Sequence, residues 1–402
     1  MKAIYLDNNA TTRLDPMVLE AMMPFMTEHY GNPSSIHGFG EPVRKALEVA
    51  RHQVATLLGA EHDSEIVFTS CATEANSTAL LSAVEALPDR KQIITTVVEH
   101  PAILEVCEHL ERQGYQIHRL AVDGQGRLDL DAYAALLSDQ VALVSVMWAN
   151  NETGTLFPVL EMAQMAKDKG ILFHTDAVQV VGKMPINLAS SAIDLLSFSG
   201  HKLHGPKGVG ALYVRRGTRF RPLLRGGHQE RGRRAGTENS AGIIGLGMAC
   251  ELAELHMSML EGPIRALRDK LEQALLAAVP CAMVTGDPQN RTPNTLNIAF
   301  EFVEGEAILL MLNQLGIAAS SGSACTSGSL EPSHVMRAMG IPYTAAHGSI
   351  RFSLSRFSRE REIDQVILQL PMIIERLRSM SPYWQQNKPQ LASHGEFAPA
   401  YG

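Results

Sequence analysis

Apolar residues recur at helical spacing through Val43, Leu47, Ala50, Val54 and Leu57, and the β-rich run Glu65-Ile66-Val67-Phe68-Thr69 follows. A second helical pattern from Thr73 to Leu87 leads into the strand-like Gln92 to Val98. Further strand-like runs come at Val141 to Trp148, Ile171 to Thr175, Leu195 to Ser199 and Gly210 to Val214. Strands alternating with helices of this length predict an α/β fold with a mostly parallel sheet covered on both faces. Ligands of such sheets bind at the carboxyl ends of the strands. After about residue 258 the pattern changes to a charged helix over Pro263 to Val279, shorter strands at Thr295 to Phe302 and Ser349 to Leu354, and a helix near Glu360 to Arg378. This predicts a large domain over 15–258 and a smaller α+β domain over 1–14 and 259–402, ending in a polar tail.

Composition narrows the function classes. A chain of 402 residues that is 45% hydrophobic can bury a substantial core. The formal charge of −7 argues against a general nucleic-acid binder. No apolar run reaches the ~20 residues that span a bilayer, so no membrane is expected. The residues from Met1 to Asp7 lack a secretory apolar region. Five cysteines, an odd number on a long chain, do not form a disulfide framework. The expected setting is reduced and cytoplasmic.

The chemistry concentrates around Ser199-Gly200-His201-Lys202. A lysine that forms a Schiff base with pyridoxal phosphate needs a fixed place at a strand end, a carboxylate for the pyridinium nitrogen, and donors for the phosphate. Lys202 follows an apolar strand, Asp176 ends another, and Ser199 and His201 supply donors. Ala72 and Thr73 open a helical run, where free amide groups and the dipole suit a phosphate; taken alone, Thr73 is an ordinary capping residue. Gln179 and Asn151 suit the ring hydroxyl. His100 ends a strand and could stack on the ring and shuttle protons, or be structural. Eight arginines between Arg215 and Arg234 suggest an anion-binding or subunit-interface loop, since only Phe220 interleaves them as an aromatic.

Cys325 lies in Ser320-Ser321-Gly322-Ser323-Ala324-Cys325-Thr326-Ser327-Gly328-Ser329, whose small residues predict a mobile loop suited to thiol chemistry. Cys107 and Cys250 fall in apolar helical patterns and read as inert core. Cys71, before a helix N-terminus, is the competing nucleophile, and it is expected to lie under the phosphate. Arg351, in the apolar run Ser349 to Leu354, needs an anion. Either a substrate carboxylate or an internal protein carboxylate would serve.

From Tyr5-Leu6-Asp7-Asn8-Asn9-Ala10-Thr11-Thr12 to the helix past Arg356, the chain resembles the cysteine desulfurases of the class V aminotransferase family, fold type I. The resemblance implies Lys202 as Schiff-base lysine, with Ala72, Thr73, Asn151, Asp176, Gln179, Ser199 and His201 as cofactor contacts and His100 beside the ring. It implies that Thr237, in Arg234-Ala235-Gly236-Thr237, reaches the phosphate of a partner subunit, hence a homodimer. It gives Arg351 the substrate carboxylate, with Asn151 nearby, and Cys325 the persulfide. The implied activity converts L-cysteine to L-alanine and passes sulfur to an iron–sulfur scaffold protein; the persulfide also allows Cys325 a transient role as iron–sulfur ligand. Arg219-Phe220-Arg221-Pro222 and the tail from Ser381 resemble the nitrogen-fixation type. An aminotransferase or other lyase would share the cofactor residues without using Cys325, and a sulfur carrier would need Cys325 alone. Selenocysteine lyase activity is a further alternative, although the Arg-x-Gly-x-x-Cys pattern of that subgroup is missing.

Overall fold

The computed structural model describes residues 3–321, 332–385 and 388–389. After a short strand β1 (Ile4–Tyr5), seven strands lie between residues 66 and 214: β2 (Ile66–Thr69), β3 (Gln92–Thr96), β4 (Gln116–Leu120), β5 (Val141–Ser145), β6 (Leu172–Asp176), β7 (Leu195–Ser199) and β8 (Gly210–Val214). They form one sheet in the order β2-β8-β7-β6-β5-β3-β4, in which only β8 runs against its neighbours. Every residue of β5, β7 and β8 is buried, as expected for strands covered on both faces.

One face packs on the helices Gly40–Leu58, Val159–Asp168 and Ser240–Leu255, through Leu47, Val54, Met162, Phe173, Phe198 and Leu246 among others. The other face packs on the helices Ala72–Ala86 and Pro101–Arg112 through Ala79, Leu80, Ile103, Leu143 and Leu212. Each fully buried large apolar side chain contributes about 1.5–3 kcal/mol. The helix Gly40–Leu58 buries Val43, Leu47, Ala50, Val54 and Leu57 at the spacing read in the sequence, and it stops at Gly59, whose φ of +58° makes a left-handed cap.

A second apolar cluster surrounds the three-stranded antiparallel sheet of β9 (Ala282–Val284), β10 (Thr295–Phe300) and a later strand, β12 (Ser349–Ser353); β11 (Ile317–Ala318) lies between them in sequence and pairs in parallel with β1. Leu271, Leu275, Ile363, Val366 and Leu370, from the helices Arg265–Ala278 and Glu360–Ser379, fill this cluster together with Ile4 and Leu6. The residues Val335, Met336, Met339, Ile341, Ala345 and Ala346 instead pack into the core of the large sheet.

Several bounds differ from the sequence expectation. The strand expected to reach Val98 ends at Thr96, because Thr96 Oγ1 turns back to accept from the Val98 amide. The helix expected from Pro263 becomes regular at Arg265, after a π turn over Leu260–Ile264 that contains Pro263. Among the described residues no single helix is long and apolar enough to cross a membrane; Ser240–Leu255 and Met257–Ala278 pass that test only as a pair bent by 54°.

Candidate active site

Strands β3, β5, β6 and β7, like the edge strand β4, point the same way, and β2, two antiparallel steps from β7, joins them. Their carboxyl ends deliver Ala72 and Thr73, His100, Asn151, Asp176 and Gln179, and Ser199, His201 and Lys202 to one cavity of about 310 Å³, which Arg351 also lines from β12. That volume suits a small ligand. The helix Ala72–Ala86 can start this close because Gly210 has no side chain: a Cβ there would sit 2.9 Å from the Cys71 carbonyl carbon.

Lys202 leaves β7 on the single turn Gly200–Lys202, and its Nζ donates to the carbonyl oxygens of Asn9 (2.6 Å) and Ala10 (2.8 Å). Asp176 is buried, where a carboxyl group without partners is costly. Its Oδ1 accepts from the Val178 amide at 3.0 Å and its Oδ2 from Asn76 Nδ2 at 2.6 Å. The sequence reading missed Asn76; the available signal was its place three residues after Thr73, on the same side of the helix.

The ring of His100 caps the helix Pro101–Arg112, with Nδ1 accepting from the Ala102 amide at 3.1 Å. Burial holds its pKa below the usual imidazole value. The neutral ring therefore carries its proton on Nε2, and it meets a ligand as a donor. His201 is likewise neutral, its pKa pushed down to about 4 mainly by burial, with Nδ1 3.1 Å from Thr11 Oγ1.

Glu99, beside His100, has no exposed surface, and burial pushes its carboxyl up to about 8. Oε1 accepts from Thr96 Oγ1 (2.8 Å) and the Met147 amide (3.0 Å), which ties the ends of β3 and β5 together. The raised folded-state pKa means that the folded chain binds more protons than the unfolded chain between the ordinary carboxyl value and about 8. Stability from this group therefore falls as pH rises through that window. Glu99→Gln should flatten the fall: in thermal melts from pH 5 to 8, the variant should lose less melting temperature than wild type. Parallel curves would place the Glu99 titration outside this range.

Of the two anions considered for Arg351, the described residues supply the internal one. Its Nη2 lies 2.9 Å from Asp7 Oδ1, so the internal carboxylate is present; Nη1 donates to the Asn151 carbonyl at 2.9 Å. The buried Nε has no partner among the described residues, and the side chain lines the cavity, so donor capacity remains for a ligand carboxylate.

Cys71 lines the cavity beside the helix start. Cys107 and Cys250 are buried, and burial raises both thiols, that of Cys107 to about 12. Cys325 lies outside the described residues. Described residues on either side of it in sequence are tied to the segments that carry the site. Ser320 exchanges backbone hydrogen bonds with Arg351, Ser333 Oγ donates to the buried Glu152 at 2.6 Å, and His334 Nε2 donates to the Glu99 carbonyl at 3.0 Å.

Thr237 is exposed and does not line the cavity. In the arginine-rich stretch before it, Arg234 pairs with Glu74 at 2.8 Å and Arg225 with Glu85 at 2.6 Å. Among the described residues no group of three or more His, Cys, Asp and Glu side chains could hold a metal.

The aminotransferase class-V family model matches residues 4–366. The chain is 68% identical to a cysteine desulfurase of Enterobacter agglomerans and 67% identical to the cysteine desulfurase NifS of Azotobacter vinelandii, each over the full length of both proteins. A solved structure titled NifS-like protein superposes with a TM-score of 0.88 at 40% identity, covering 93% of this chain and all of that one. On this match over nine-tenths of its length, the chain belongs to the class V aminotransferase family, among its cysteine desulfurases.

Proposed function

We propose that the cavity binds pyridoxal phosphate and L-cysteine, and that the sulfur leaves as a persulfide on Cys325. The observation that carries this reading is the convergence of Lys202, Asp176, His100 and Arg351 on one cavity beside a helix N-terminus. The residues fit the cofactor. Asn76 Oδ1 is buried next to Asp176 without a partner among the described residues, which leaves it open to a polar ligand, and Lys202 reaches the cavity from another strand. The first-turn amides of the helix Ala72–Ala86, with Thr73, Ser199 and His201, would hold the phosphate; Asp176 would hold the ring nitrogen, and Gln179 and Asn151 the ring hydroxyl.

Bound there, pyridoxal phosphate supplies an aldehyde that takes amines and a ring that accepts electron density from the substrate Cα. The chain does the rest. Lys202 Nζ, steered by the carbonyls of Asn9 and Ala10, holds and moves the proton at the substrate Cα. Asp176, braced by Asn76 and the Val178 amide, keeps the ring polarised, and His100 presents its Nε2 proton. Arg351 orients the substrate carboxylate. Cys325 Sγ then takes the substrate sulfur: the carbon–sulfur bond breaks, a sulfur–sulfur bond forms, and the carbon gains a proton to give alanine. Cys325 is five residues beyond Ser320, a chain length of at most about 18 Å. Because Ser320 is paired with Arg351, a chain of that length would allow the thiol to reach a substrate held by Arg351.

We further propose the division into a domain over 15–258 and one over 1–14 and 259–402, a homodimer in which the exposed Thr237 reaches the partner's phosphate, and a cytoplasmic setting. The proposed sulfur acceptor is an iron–sulfur scaffold protein of the nitrogen-fixation type.

Arg351→Ala tests the substrate assignment. A charge-assisted pair is worth roughly 1.5–3 kcal/mol, so the KM for L-cysteine should rise about 10- to 100-fold. An unchanged KM would leave Arg351 as a partner of Asp7 only.

A further inference from the structure

Lys183 is a buried lysine that the mechanism above does not use. It does not line the cavity, so it does not compete with Lys202 for the aldehyde. Its Nζ instead donates to Gln179 Oε1 at 2.6 Å and to Asn9 Oδ1 at 3.0 Å. Gln179 in turn donates one Nε2 proton to the Asn9 carbonyl at 3.1 Å, the same oxygen that accepts from Lys202. Asn9 is held independently, its side chain by Asn294 and Thr295 and its amide by Ser353.

A side-chain amide has one acceptor end and one donor end, and either could face a ligand. Here Lys183 Nζ donates along both contacts and captures Oε1, so Nε2 is the end left at the cavity. We propose that Lys183 is a positioning residue that orients the Gln179 amide, so that this wall of the cavity presents a hydrogen-bond donor to an anionic ring oxygen. Asn9 and Lys183 together clamp Gln179 from both ends, and the same Asn9 carbonyl steers Lys202. Burial and the neighbouring Lys202 and Arg351 lower the Lys183 pKa from its ordinary value.

This inference rests on the pyridoxal phosphate reading above. The test is a double-mutant cycle on the full chain, stripped of cofactor and titrated with pyridoxal phosphate, with the visible absorbance of the bound cofactor followed against pH. Lys183→Met and Gln179→Ala should each weaken binding about 10-fold, the loss of one hydrogen bond to a charged group. The double variant should be no weaker than Gln179→Ala, and the absorbance–pH curves of the two should coincide. Equal further weakening by Lys183→Met in the Gln179→Ala background would show a packing role and overturn the proposal. Gln179→Glu leaves the lysine in place and keeps its acceptor but puts an oxygen at the cavity, so it should bind as weakly as Gln179→Ala. Wild-type affinity for Gln179→Glu would also overturn the proposal, even if Lys183→Met does not fold. Failure of the wild-type chain to bind pyridoxal phosphate would instead sink the parent reading.

Discussion

Lys202→Ala should abolish the visible imine absorbance of the resting enzyme, because the only lysine lining the cavity among the described residues would be gone. The phosphate and ring contacts remain, so pyridoxal phosphate should still bind, but its spectrum should be that of free aldehyde. Turnover of L-cysteine should fall by roughly 10²–10⁴-fold, the usual worth of a positioned acid–base group, and further for loss of the covalent link. Absorbance spectra and alanine production at saturating L-cysteine check both parts. Near wild-type turnover would mean that another amine does this work. Lys183 is disfavoured for that role, since its Nζ is committed to Gln179 and Asn9 behind the cavity wall.

Cys325→Ser should separate the two halves of the reaction. The cavity is untouched, so the colour of the bound cofactor and its change on adding L-cysteine should both persist. Sulfide released in the presence of a thiol reductant should drop to background. The reason is ionisation: a cysteine thiol has a pKa of ~8.5, which nearby positive groups lower, whereas a serine hydroxyl is essentially un-ionised at neutral pH. A serine variant that still released sulfide would move the nucleophile elsewhere. Cys71 would then be the first candidate, as it alone of the described cysteines lines the cavity.

The sheet is legible in the sequence where its strands are buried on both faces. Val141–Ser145 and Leu195–Ser199 are apolar runs because no residue in them meets water. Gln116–Leu120 escapes notice for the opposite reason: it is an edge strand whose Gln116 and Arg119 are exposed, so it carries neither an apolar run nor a clean alternation. Strand ends are set by side chains such as Thr96, whose hydroxyl stops β3 early, and no periodicity records that.

The site divides in the same way. Asp176, Lys202 and His100 stand out because each is a polar residue at or a few residues past the end of a strand. The groups that aim them do not. Asn9 meets Lys202 and Lys183 across 193 and 174 residues of chain. Asn76 meets Asp176 across 100 residues. These contacts exist only after the sheet has brought the strand ends together, so their residues look like ordinary polar positions in the sequence. The Asp7 pairing of Arg351 was foreseeable only as one of two options, because an arginine in an apolar strand demands an anion without saying which.

The most direct test of the account is to mix the purified chain, loaded with pyridoxal phosphate, with L-cysteine and follow both products at once. Alanine is measured in solution, and every cysteine peptide of the protein is mapped by mass. The account predicts alanine equal to the sulfur transferred, with one extra sulfur atom on the Cys325 peptide and none on Cys71, Cys107, Cys250 or Cys281. Alanine formed with the extra sulfur on Cys71, or pyruvate formed with no sulfur on any cysteine, would contradict it.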